Sequence, residues 1–187
     1  MKKIYILIII LFSQSISYSG TQELMDKTKN IPICSSNSTY YSDCKAMVKN
    51  EKTGEVYFGA WKNDKYHGPG IFKWNKKGEV YEGNFKNGLF HGKGKHSYSD
   101  GSYYEGNFKN DKRHGFGIEN NKSTGIIYRG EWQDGCMNGE GTYIQNNGIK
   151  YVGGFKNCKL HGRGIVIDTD TGDVLQKGSW NNGYFNN

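Results

Sequence analysis

Four histidines of this 187-residue chain, His67, His91, His114 and His161, share one local setting, each directly before a glycine. Recurrent histidine invites a metal centre, since imidazole nitrogen is a favoured zinc ligand. Glu82 and Glu105 recur in a second slot, the segment Tyr-Glu-Gly-Asn-Phe. Two carboxylates across a gap can hydrolyse a glycosidic bond. A third set is basic. Lys62, Lys86, Lys109 and Lys156 each follow an aromatic residue, and Lys65, Lys112, Arg113, Lys159 and Arg163 lie close by. Such a stripe attracts anionic lipid head groups or polyanions. Four cysteines, Cys34, Cys44, Cys136 and Cys158, form no CxxC pair and no Cys–His spacing of the zinc-finger type. An even number of this kind points to disulfides in an oxidising compartment.

The elements that carry these residues repeat. Tyr-x-Gly-x-aromatic occurs as Tyr57-Gly59-Trp61, Tyr81-Gly83-Phe85, Tyr104-Gly106-Phe108, Tyr128-Gly130-Trp132 and Tyr151-Gly153-Phe155. A truncated copy, Gln176-Gly178-Trp180, follows with Gln in the Tyr slot. Each full block has a Gly-x-Gly pair seven residues after its aromatic, from Gly68/Gly70 to Gly162/Gly164. Alternation with a period of two puts Tyr57, Gly59 and Trp61 on one face of a strand and Val56, Phe58 and Ala60 on the other. A polar turn such as Lys62-Asn63-Asp64-Lys65 follows, then a second strand starting at the glycine pair. Turn signals such as Asp100-Gly101 and Asn147-Gly148 close the blocks. Each block therefore reads as a β-hairpin, and the predicted fold is all-β. It is an elongated single-layer antiparallel meander of about five to six hairpins. The glycines leave room for an aromatic ring lying over the backbone of a neighbouring strand.

Composition agrees. Glycine makes up 27 of 187 residues, twice the ordinary share of ~7%. Only 35% of the chain is hydrophobic, which argues against an α/β enzyme with a large aliphatic core. Two prolines and no triplet glycine period exclude collagen, and 14 Tyr, 9 Phe and 4 Trp are too many aromatics for a disordered tail.

In a hairpin repeat, equivalent residues stand two strands apart, about 10 Å. Zinc ligands must all reach one ion at about 2 Å, so the histidines read as turn residues of the repeat, and Asn138 breaks their series. The same spacing separates Glu82 from Glu105, with no cleft to go with it. Gly92-Lys93-Gly94-Lys95 is repeat glycine and not a phosphate loop. No catalytic residue, cofactor or metal is implied.

Residues 57–187 resemble the MORN (membrane occupation and recognition nexus) repeat, whose pattern is approximately Tyr-x-Gly-x-Trp followed by His-Gly-x-Gly. The blocks are 57–80, 81–103, 104–127, 128–150 and 151–175, with 176–187 partial. The resemblance implies stacked hairpins acting as a non-enzymatic scaffold. Family roles include membrane association, protein–protein contact and dimerisation. The exported, stand-alone form resembles small bacterial envelope proteins that carry these repeats.

Residues 20–56 read as an N-terminal cap with half a repeat. Cys44 to Lys49 can form a strand, and a Cys34–Cys44 bridge would fold the preceding segment over the sheet edge. Cys136–Cys158 completes the preferred pairing, with free thiols or an intermolecular bond as alternatives. A regular sheet would hold these two about 10 Å apart, beyond the ~7 Å Cα limit of a disulfide. Residues 1–19 read as a signal peptide. Lys2 and Lys3 precede a nine-residue apolar run, Ile4 to Phe12, that is too short to cross a bilayer. Removing them lowers the formal net charge from +7 to +5, since two lysines and no acid are lost. The expectation is an exported protein, periplasmic or secreted, with no transmembrane segment after cleavage. Its partner is a protein or a second copy bound through an open edge at Gln176 to Trp180. The alternative is anionic lipid or envelope polymer bound by Lys62, Lys86, Lys109, Lys112, Arg113, Lys156 and Lys159. Nucleic acid is not expected.

Overall fold

Each hairpin is closed at its tip by two residues in left-handed conformation. They are Asn63-Asp64, Asn87-Gly88, Asn110-Asp111, Asp134-Gly135, Asn157-Cys158 and Asn182-Gly183. This is the type I′ turn, whose twist matches that of the flanking strands, and Asn, Asp and Gly tolerate it best. The tips are tighter than the sequence pattern suggests, because the second strand starts at the tip and not at the glycine pair.

The computed structural model describes residues 26–35, 37–75 and 78–186. The segment read as a signal peptide lies outside them. Thirteen strands, each antiparallel to the next in chain order, form one open meander sheet. By contacts the chain divides into two units, the first ending at His96 and the second starting at Ser97. The first unit holds β1 (Cys44–Lys49), β2 (Val56–Lys62), β3 (Lys65–Lys73), β4 (Val80–Lys86) and all but the last residue of β5 (Leu89–Ser97). In the second are β6 (Tyr103–Lys109), β7 (Lys112–Asn121), β8 (Ile126–Gln133) and β9 (Cys136–Ile144). It continues with β10 (Ile149–Lys156), β11 (Lys159–Asp168), β12 (Val174–Asn181) and β13 (Tyr184–Asn186).

Glycine faces glycine along one line of the sheet. In the second unit the register runs Gly106, Gly117, Gly130, Gly141, Gly153, Gly164 and Gly178 across seven strands. In the first it runs Gly59, Gly70 and Gly83, with Ala46 of β1 opposite Gly59. Beyond this line the register inside the hairpins shifts. Gly106 faces Gly117, yet Asn107 faces His114, so Gly115 and Phe116 bulge out. Gly115, like Gly68 and Gly139, has positive φ at the bulge. A bulge bends its strand, so the glycine line divides each hairpin into a body and a re-aimed tip. The histidines accordingly stand in strands beside a bulge, and not in turns.

The N-terminal cap is a substitute for a missing hairpin. Ile33 pairs in parallel with Lys45 on the outer edge of β1, and Cys34 bonds Cys44 at a Cα separation of 5.0 Å. Trp61 donates its indole N–H to Ala46 O, as Trp132 does to Gly117 O one repeat earlier in its own unit. Tyr41, fully buried, meets Trp61 edge-on at 5.2 Å. Its carbonyl accepts from Asp64 N just as Tyr66 O accepts from Gly88 N. The sequence pattern did not expose this role of Tyr41.

Candidate interaction surface

The tyrosines that open the repeats build the interior. Tyr57, Tyr81, Tyr104, Tyr128 and Tyr151 are all buried. Each folds along its own strand and donates its hydroxyl to the carbonyl three residues on, at 2.7–3.1 Å. The ring thereby covers both glycines of its hairpin. A Cβ at Gly59 or at Gly70 would lie 2.6 Å from Tyr57 Oη. The covering ring thus comes from the same strand as the first glycine, whereas the spacing had suggested only a neighbouring strand.

The rings of Tyr57, Tyr104, Tyr128 and Tyr151 are each met edge-on from two sides. Tyr57 touches Trp61 and Phe85 at 5.2 Å, and Tyr128 touches Trp132 and Phe155 at 5.1 Å. T-shaped pairs at this separation place the positive ring edge on a negative ring face. Burial raises the phenol pKa of Tyr57, Tyr104, Tyr128 and Tyr151, that of Tyr104 to about 12 despite the opposing effect of Arg113.

In the first unit this aromatic face forms a trough of about 860 Å³. Its floor is Tyr57, Trp61, Tyr66 and Phe72, and its rim carries Lys49, Glu51, Glu55, Asp64 and Lys65.

The basic stripe divides. Lys62, Lys86, Lys109, Lys112, Lys156 and Lys159 are exposed at hairpin tips. Three tips place two of them directly opposite each other: Lys62 with Lys65, Lys109 with Lys112, and Lys156 with Lys159. Arg113 does not belong with them. Its guanidinium lies 5.0 Å from the ring centres of both Tyr104 and Trp132 and is 2.7 Å from Glu119. Strand alternation turns it onto the aromatic face, where Glu119 neutralises it, so it is no cation of the stripe. The signal that could have revealed this is its slot, which holds Tyr66 in the first repeat.

Glu82 and Glu105 lie opposite Ile71 and Ile118, on the sheet face away from the tyrosines. The Nδ1 atoms of His67, His91, His114 and His161 are buried without a protein partner. Among the described residues no group of three or more metal-ligating side chains converges.

Cys136 and Cys158 are bonded, with Cα atoms 4.9 Å apart. The expected separation of about 10 Å counted two strands where one applies. Cys158 sits inside its tip, whereas the one-residue stagger puts Cys136 past the apex of its own tip, on the side facing the next hairpin. Cys158 N donates to Met137 O, so the two lie one strand spacing apart. The open edge also differs from expectation. β13 pairs with Ser179, Trp180 and Asn181, so Val174 to Gly178, paired with β11 on one side, have no strand partner on the outer side of β12 among the described residues.

Fold and surfaces together define a protein of tandem β-hairpin repeats whose tyrosine hydroxyls are spent on their own backbone. Four segments, 57–79, 81–103, 104–120 and 128–150, match the MORN repeat, so the chain carries MORN repeats. Such repeats are in general protein- or lipid-interaction scaffolds. No curated protein matches the chain. Among the described residues no helix is long and apolar enough to cross a membrane, and the disulfides are consistent with export.

Proposed function

We propose that the protein is a non-enzymatic, exported scaffold that binds another protein or a second copy of itself. The observation that carries this reading is the outer edge of β12. Val174 and Leu175 are exposed there, and the outer side of Val174 to Gly178 lacks a strand partner among the described residues. An edge of this kind accepts an added strand, with the backbone supplying affinity and the alternate side chains supplying selectivity. Leu175→Pro removes one backbone donor and disfavours strand addition. Affinity purification of the partner from the native envelope fraction, with wild type and this variant as paired baits, tests the reading. Equal recovery of every bound protein by both baits would refute the edge as the site.

A second reading draws on the paired tip lysines. Like charges directly opposite each other across a strand pair repel, and an anion between them relieves that repulsion. Co-sedimentation with phosphatidylglycerol vesicles across a salt series separates this reading from the first. Salt-sensitive binding lost in a Lys109→Glu/Lys112→Glu variant supports it. Binding indifferent to lipid charge rules it out.

A further inference from the structure

The face of the second unit opposite its tyrosines carries open aliphatic side chains among polar and charged ones. Ile127, Val152 and Val174 are 37%, 39% and 59% exposed, and Ile118, Ile144, Ile165 and Ile167 are only partly buried. The registers set these side chains in two rows across the strands. One row runs from Tyr103 on β6 through Asn120, Ile127, Ile144, Lys150 and Ile167 to Val174 on β12. The other runs from Glu105 on β6 through Ile118, Arg129, Thr142, Val152 and Ile165 to Lys177 on β12. Both rows are centred on β9.

That second row is complementary to itself reversed. A two-fold axis running along β9 between two copies would set Glu105 of one opposite Lys177 of the other at both ends. It would set Ile118 opposite Ile165, Arg129 opposite Val152, and Thr142 opposite itself. On the tip side the same operation brings Phe116, which is 56% exposed, opposite Arg163. Opposite charges therefore meet at the ends of this row, Ile118 meets Ile165 inside them, and a guanidinium meets a ring at the rim. Three contacts oppose the pairing: Glu140 meets its own copy near the axis, Lys150 meets Ile127, and Arg129 meets Val152.

We infer that a second copy of this chain covers this face, so that two second units stack back to back as a β-sandwich. Sheets pack about 10 Å apart with strands inclined by about 30°, which keeps corresponding rows facing each other near the centre. The interface is isologous, as a two-fold requires. Seven strands at about 4.8 Å and two rows about 7 Å apart give each copy a footprint on the order of 400 Å². The two footprints together come to about 800 Å², less than the ~1,000 Å² of a stable interface, so the dimer is a weak, transient one that forms only at high concentration. The inference rests on the protein-interaction reading above but uses a different surface, so the two can fail separately.

Sedimentation velocity of the mature protein from about 5 μM to about 500 μM tests it over the range in which a weak interface titrates. The expected result is a monomer–dimer equilibrium whose Kd rises at least about tenfold in Ile127→Asp and in Val152→Asp. Both positions are exposed, and an unchanged circular dichroism spectrum with intact disulfides shows that each variant is folded. Glu105→Lys and Lys177→Glu should each weaken the dimer about fivefold, and the double exchange should restore it to within about twofold of wild type. Glu140→Gln should tighten it. A monomer at every concentration overturns the inference. So does a dimer that survives Ile127→Asp but is lost in Leu175→Pro, an outcome that leaves the edge reading standing.

Discussion

The two units are built on one repeat but cover their tyrosines differently. In the first, Tyr66 stacks on Tyr57 with ring centres 3.8 Å apart, and Phe90 stacks on Tyr81 at 3.7 Å. In the second, the same slot holds Arg113, Met137 and Leu160. The opposite faces differ as well. Ile71 of the first unit is 1% exposed beneath Phe58 and Val80, whereas its counterpart Ile118 stays partly open. The staples differ in turn: one disulfide fastens a cap to β1, the other ties the tips of adjacent hairpins. The constant parts are the tyrosine, its hydroxyl acceptor and the glycine line. What covers the ring is therefore the variable part of the design, and the second unit has kept a face that the first has closed.

The sharpest way to break this comparison is to remove the constant part. Tyr57→Ala and Tyr128→Ala should each destabilise their own unit by about 4 kcal/mol, since each leaves a cavity and strands a backbone carbonyl. Amide hydrogen exchange read unit by unit measures it. A much smaller loss in one unit would mean that the tyrosine ladder is not the shared core. Next in size, opening Cys34–Cys44 or Cys136–Cys158, with sequence separations of 10 and 22, should cost about 3 kcal/mol each in chemical denaturation. The exchange should speed up near β1 in one case and around β9 and β10 in the other. A more modest effect, about 1 kcal/mol, is expected for Tyr66→Leu, which keeps burial but loses the stack. Met137→Leu should change thermal stability by less. Equal losses would show that stacking contributes nothing beyond covered area.

The smallest effect at neutral pH concerns the phenols. An unfolded tyrosine ionises near pH 10, and burial raises the folded values of Tyr57, Tyr104, Tyr128 and Tyr151. Between the unfolded and folded values the native state holds more protons, so stability falls as pH rises there and is unaffected below about pH 10. Melting temperature should therefore drop between about pH 10 and about pH 12, with ultraviolet phenolate absorbance lagging behind that of free tyrosine.

The hairpins, their order and the cap were legible because aromatic and glycine slots recur with a period of two inside blocks of fixed length. A cap half a repeat long could be read from Asn50 to Gly54, where Asn50 N bonds Glu55 O as Trp74 N bonds Glu79 O. The bulge was not legible, because alternation describes a regular pleat and says nothing of two residues leaving it at Gly115 and Phe116. From that omission came the turn placement of the histidines. Arg113 was misplaced for a related reason. Reading basic residues as a stripe ignores which of two faces each one takes, and Lys112 and Arg113, adjacent in sequence, take opposite ones. The cysteine distance failed by counting repeats where strands had to be counted.

Each of the five full repeats donates its tyrosine hydroxyl to a carbonyl three residues away, within the same block. A duplicated block thus arrives with its own acceptor, its own pair of glycines and its own ring edge for the neighbour. Lengthening or shortening the array by one block leaves no orphaned group behind, while a change of a few residues inside a block does. Gene duplication could therefore vary the length of this surface in whole steps, with selection acting on the number of blocks before it acts on any single residue.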